Sequence, residues 1–97
     1  MKYDIRFTPD FELDLAELEI SLFEYPKKAK RIIEKIDKII LKLVDMPQMY
    51  PIYEDFPIFR KIVVEDYLIF YLINEENKCI EIHRLIYGKM NIKNQLL

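Results

Sequence analysis

The sequence predicts an α+β fold of order β-α-α-β-β-β, an antiparallel-rich sheet with a helical hairpin packed on one face. Three observations carry this expectation. Apolar residues recur at helical spacing across 9–24 and again across 26–45, and each stretch opens on a proline. Beyond residue 58 the pattern changes to short β-rich runs parted by brief polar turns. Residues 3–8, Tyr-Asp-Ile-Arg-Phe-Thr, alternate apolar and polar, which is the period of a half-buried strand.

The elements follow in order. Thr8 can cap a helix through its side-chain oxygen, Pro9 suits the first helical position, and Asp10 places negative charge in the first turn. Phe11, Leu15, Leu18 and Leu22 then form one apolar stripe, with Asp14, Glu17 and Glu24 placed off it. Leu13, Ile20 and Phe23 are surplus apolar residues away from that stripe. The helix is expected to end near Glu24, because Tyr25 precedes a proline and is biased toward extended geometry. Pro26 opens a second helix to about Asp45, with Ala29, Ile32, Ile33, Ile36, Ile39, Ile40, Leu43 and Val44 on one face. Burying its seven large aliphatics contributes on the order of 10–20 kcal/mol before conformational entropy is set against it.

Residues 46–58 hold three prolines and no periodicity, so they read as a connecting loop. Strands are expected at 59–65, 67–74 and 79–87, the first two separated only by Glu65-Asp66. The run from Tyr67 to Ile73 is apolar on both faces, as a central strand requires. In the last strand Ile80, Ile82 and Ile86 share a face, and Gly88 ends it.

The 97 residues make a single domain spanning 1–97. Apolar residues at 52% and charged residues at 33% describe a globular chain and not a disordered one. A single glycine excludes glycine-cradled phosphate sites. One cysteine, Cys79, inside an apolar run, fits a reducing cytoplasm, and Met1-Lys2-Tyr3-Asp4 does not open a signal peptide. The longest wholly apolar run is seven residues, far short of the roughly twenty that span a membrane, so no membrane partner is expected. No His, Cys, Asp or Glu grouping has metal-ligand spacing, and no cofactor is expected. Net charge is −2 and the pI about 5.4. A protein that grips phosphate backbones carries a basic excess, and this one carries none.

Four local signatures, in order, bear a resemblance to the RelE/ParE superfamily of toxins over essentially the whole chain. They are Phe7-Thr8-Pro9 at the first helix, Met46-Pro47 at the exit of the second, Phe59-Arg60-Lys61-Ile62-Val63-Val64, and Tyr67-Leu68-Ile69-Phe70-Tyr71. The run Ile82 to Lys89 resembles the closing strand and glycine turn of that family. The resemblance implies a growth-inhibiting toxin of a type II toxin–antitoxin system, of the kind that includes plasmid-stabilisation proteins, neutralised by a cognate antitoxin. It implies one of two targets: DNA gyrase for ParE-like members, or ribosome-bound mRNA for RelE-like endoribonucleases.

Mapped position by position, the resemblance makes Arg60, Lys61, Arg84, Tyr87 and Lys89 the candidate catalytic or target-contacting residues. Leu68 and Met90 stand where RelE-like members have arginine, and the tail tyrosine of those members falls near Leu96. Cleavage needs a base for the 2′-hydroxyl and cations for the phosphorane, so these replacements disfavour a ribonuclease. A ParE-like toxin is the preferred reading. A ribonuclease using the remaining cations, and a degenerate toxin that only binds antitoxin, stay open. Leu13, Ile20 and Phe23 are the candidate antitoxin contacts.

The remaining polar residues have plain structural readings beside functional ones. Strand alternation puts His83 and Tyr87 on one face and Arg84 on the other with Ile80, Ile82 and Ile86, so a His83–Arg84–Tyr87 trio is not expected. Arg84 is expected to pair with an acidic residue such as Glu17 or Glu65, or to bind an anion. Arg60 and Lys61 protect a sheet edge or contact the target. Cys79 reads as a small buried hydrophobe, Tyr50 and Tyr53 as an aromatic contact surface, and Lys27-Lys28-Lys30-Arg31 as solvated charge suited to an acidic partner.

Overall fold

Thr8 decides where the first strand stops and the first helix starts. Its side-chain oxygen accepts the Phe11 backbone N–H at 3.1 Å, and its hydroxyl donates to the His83 carbonyl at 2.7 Å. One residue thus caps a helix and ties it to the last strand. The computed structural model describes residues 2–89 and 91–96. Its elements are β1 (Asp4–Phe7), α1 (Pro9–Ser21), α2 (Pro26–Leu43), β2 (Arg60–Val64), β3 (Tyr67–Asn74), β4 (Cys79–Tyr87) and α3 (Ile92–Leu96). The α+β class and the β-α-α-β-β-β order stand, with a short helix added in the tail.

The sheet order is β1-β4-β3-β2. β1 runs parallel to β4, and the other two pairings are antiparallel. The central strand β3 is covered on both faces, as its unbroken apolar run requires. On one side lie α1 and α2, whose Phe11, Leu18, Ile32, Ile36 and Leu43 join Ile62, Ile69, Ile80 and Ile82 in the main core. On the other side the proline loop and α3 cover a smaller cluster of Phe59, Phe70 and Ile86. The loop also lines the outer edge of β2: Tyr53 N–H donates to the Phe59 carbonyl and Lys61 N–H to the Pro51 carbonyl. An otherwise open strand edge is closed by the same chain.

Both helices are shorter than their apolar patterns suggested. α1 ends at Ser21, three residues before Glu24, because Leu22 adopts φ −105° and ψ 21° and turns the chain while its side chain stays in the core. Phe23 N–H then bonds the Ile20 carbonyl and Tyr25 N–H the Leu22 carbonyl, a tight reversal into Pro26. α2 ends at Leu43, since Asp45 and Met46 both donate to the Lys42 carbonyl as the chain turns toward Pro47.

The β2–β3 turn compensates for the scarcity of glycine. Glu65 holds φ at 53°, the left-handed region that usually favours glycine. Its carboxylate accepts Arg31 Nε at 3.0 Å, Arg31 Nη2 at 2.8 Å and Lys35 Nζ at 3.0 Å, pinning the hairpin to α2. Hydrogen bonds from Arg31 and then Lys35 hold its carboxyl down to about 2. The folded value lies below that of the unfolded chain, roughly 4.3. The link is therefore fully present above that value and is lost as pH falls toward 2. Urea midpoints of wild type and Glu65→Gln should differ by a constant amount near neutral pH and converge between about pH 4 and 2. A gap that persists at pH 2 would show that the ion pairs are not its source.

Candidate functional site

β4 carries a bulge at the point where β1 gives out. Phe70 pairs with Arg84 but Tyr71 pairs with Ile82, so His83 is an extra residue on β4. The phase of the strand changes there. Before the bulge, Ile80 and Ile82 face the helices; beyond it, Leu85 does, while Ile86 joins the second cluster. The simple alternation expected for β4 is therefore incorrect. His83 lies over Phe59, with ring centroids 4.8 Å apart, whereas Tyr87 meets Tyr67 at 5.6 Å on the helix side. His83 and Tyr87 do not share a face, and Arg84 does not share one with all three isoleucines.

The bulge delivers Arg84 to α1. Arg84 Nε donates to Asp14 Oδ2 at 2.8 Å and Nη2 to Oδ1 at 3.1 Å, a two-pronged pair. The Leu85 backbone N–H donates to Asp14 Oδ2 at 2.9 Å. With β1 ended at Phe7, this N–H faces no strand, and a helix side chain stands in for the missing carbonyl. Arg84 Nη1 also donates to the Gln95 carbonyl, joining α3 to the same group. The Asp14 side chain is 8% exposed and that of Arg84 is 18%. Bonding to Asp14 pushes the guanidinium above its ordinary pKa, so it stays charged. The partner is neither Glu17 nor Glu65, and Asp14 is not off the buried stripe as its sequence position suggested. The signal was present: Phe11, Asp14 and Leu18 are spaced three and four, on one helical face.

Around this pair lies a cleft of about 480 Å³, walled by Leu18, Leu22, Leu85, Tyr67 and Tyr87, with Glu17, Asp66 and Lys28 at its rim. Gly88 follows Tyr87 in the turn that leaves β4. The Gly88 N–H donates to the Asp66 carbonyl at 2.8 Å, and a Cβ there would meet that oxygen at 3.1 Å.

The other candidates are dispersed. Arg60 and Lys61 are adjacent on β2, so their side chains leave opposite faces. Arg60 Nη1 donates to the Tyr50 carbonyl at 2.7 Å, holding the proline loop. Lys61 Nζ stands 5.6 Å above the Tyr53 ring, so Tyr53 serves as a platform inside the fold. Leu68 packs into the second cluster, Lys89 is exposed, and Met90 lies outside the described residues. Burial raises the pKa of the Cys79 thiol, which makes it a poor nucleophile. Tyr71 is pushed up to about 12, chiefly by burial, and its hydroxyl donates to the Pro47 carbonyl at 2.7 Å.

Leu13, Ile20 and Phe23 are exposed by 58, 74 and 82%. α1 is thus apolar on the face turned to the core and on the face turned away from it.

If Arg84 serves the fold through Asp14, then removing either partner strands a charge in a nearly closed site. Asp14→Ala and Arg84→Ala should each lower unfolding free energy by about 3 kcal/mol or more, with the double mutant well short of the sum. Denaturant midpoints check this. An unaltered midpoint in Arg84→Ala would mean that the arginine is free for other work.

Comparison with known proteins places the chain. The fold matches the chromosomal ParDE system of P. aeruginosa with a TM-score of 0.75, at 17% identity over 91% of this chain and 98% of that one. It matches the RelBE2 toxin–antitoxin complex of Mycobacterium tuberculosis with a TM-score of 0.64, at 20% identity over 90 and 99%. It also matches a free mutant of the E. coli toxin RelE with a TM-score of 0.69, at 15% identity over 98 and 93%. No curated protein sequence matches the chain. A family model described as the ParE toxin of the type II toxin–antitoxin system parDE matches residues 5–92. The chain belongs to the ParE family within the RelE/ParE superfamily, the toxins of type II toxin–antitoxin systems.

Proposed function

We propose that this toxin inhibits growth through a protein target, DNA gyrase, and is held inactive by a cognate antitoxin laid across its helix hairpin and sheet edge. The observation that carries the choice of target is the dispersal of its cations. Phosphodiester cleavage needs several donors converging on one phosphorane. Here Arg60 is engaged by the proline loop, Arg84 by Asp14, and Lys61 and Tyr87 stand on opposite faces of the sheet. The cleft beside Tyr87 carries Asp14, Glu17 and Asp66 against Lys28 and Arg84, an environment that repels a phosphate backbone. The family model that matches is that of the ParE toxin, and the resemblance set out above implies gyrase for ParE-like members.

Induced expression without antitoxin, read separately for DNA breakage and mRNA integrity, tests this. The expected result is a DNA-damage response with linearised DNA and intact transcripts. Prompt translation arrest with A-site mRNA cuts would make it a ribonuclease, and normal growth would make it a degenerate toxin. Co-expression of the adjacent small open reading frame should restore growth.

A further inference from the structure

The outer face of α1 has a definite chemistry. Leu13, Ala16 and Ile20 are spaced three and four, so they form a second apolar stripe opposite Phe11, Leu15 and Leu18. All three are exposed, and Phe23 extends the row into the turn. On a helical projection Glu12 and Glu19 border one side of the stripe, and Asp10 and Glu17 the other. α1 contains no lysine or arginine. None of these four carboxylates forms a salt bridge among the described residues. The contrast with α2 is direct, since its outward face is a mixture of Lys and Glu with only Leu41 strongly exposed among its large apolar residues.

We infer that the outer face of α1 docks an amphipathic helix with a small apolar seam bordered on both sides by Lys or Arg. The inference deepens the antitoxin reading above, on which it rests for the source of that helix. A helix fits because α1 consumes its own backbone hydrogen bonds and offers no ladder for an added strand. An apolar ridge at i, i+3, i+7 is complementary to the groove of another helix. The row from Leu13 to Phe23 is about 15 Å long, so roughly three turns of partner cover it. Charge selects the partner. A second copy of this chain would set four unpaired carboxylates against four more, and a nucleic acid would be repelled by the same groups. Basic flanks neutralise both borders at once, which steers association and fixes register.

The test uses the full chain and two synthetic helical peptides of about 15 residues. They share one Leu/Ala seam and carry Lys or Glu at every flanking position. Anisotropy titration should show the Lys peptide binding at least about tenfold more tightly, with an advantage that shrinks as salt rises. Amide shifts should map to Leu13, Ala16 and Ile20. The preference should reverse in the triple variant Glu12→Lys/Glu17→Lys/Glu19→Lys, whose exposed positions spare the core. Equal binding of the two peptides, shifts confined to other elements, or concentration-dependent self-association through α1 would overturn the inference. The salt dependence of the wild type decides the matter even if the variant folds poorly. An antitoxin that neutralises growth inhibition but leaves α1 amides unshifted would remove this inference and leave the antitoxin reading intact. Binding of the Lys peptide without any neighbour that rescues growth would do the reverse.

Discussion

The fold turns on one carboxylate. β1 is only four residues long, and past Phe7 the edge of β4 has no strand beside it. A buried strand edge without partners leaves backbone donors unsatisfied, at a cost comparable to a lost hydrogen bond each. Asp14 answers this by accepting the Leu85 N–H, and in doing so it becomes a charge in a nearly closed space. That charge calls for a cation, which the bulge at His83 supplies by turning Arg84 toward α1. Helix, bulge and ion pair are consequences of one short strand. The same arginine then reaches the Gln95 carbonyl, so the tail is tied to the arrangement too.

A second constraint is the near absence of glycine. Turns that usually recruit it must either use other residues in left-handed geometry or become longer. The four-residue connection to β4 places Lys78 at φ 50°, and the two-residue connection to β3 places Glu65 at φ 53°. Such positions store strain of order 1 kcal/mol or more. At Glu65 the side chain that causes the strain also makes three hydrogen bonds to α2, so the turn becomes a clamp between sheet and helix. The one glycine stands where a side chain would press on the Asp66 carbonyl, a Cβ there meeting that oxygen at 3.1 Å.

The elements were legible because each rests on a local signal. Thr8-Pro9 caps α1, Pro26 opens α2, isoleucines at helical spacing mark its buried face, and the two-sided apolar run marks β3 as central. What escaped was set by tertiary contacts. Strand alternation assumes an unbroken ladder, and nothing local to His83 announces a bulge, so Ile86 and Tyr87 beyond it were placed on the wrong faces. Asp14 looked like surface charge because a carboxylate in a stripe is discounted unless its cation is known, and that cation lies 70 residues away. Proline predicted where the helices could not continue but not where core packing would end them. Leu22 left the helix to keep its side chain buried.

The candidate site shows how residues that match a motif are also taken up by the fold. Arg60, Lys61, Arg84 and Tyr87 occupy positions the superfamily resemblance picks out, yet pleat and ion pairing give each of them a separate neighbour in the fold. Arg60 holds a loop and Arg84 holds a helix, so two of the cations that could stabilise a phosphorane instead stabilise the protein. Freeing Arg84 would leave Asp14 buried and unpaired, a loss that substrate binding would have to offset before any rate was gained. The apolar, acid-bordered face of α1 carries no such internal debt. Its carboxylates are solvated and its leucine, isoleucine and phenylalanine contribute little to the core, so covering them costs the fold nothing. Selection on the interior accounts for Asp14 and Arg84; it does not account for Leu13, Ile20 and Phe23 in water. The part of this surface best explained by a partner is therefore the face that the fold itself does not use.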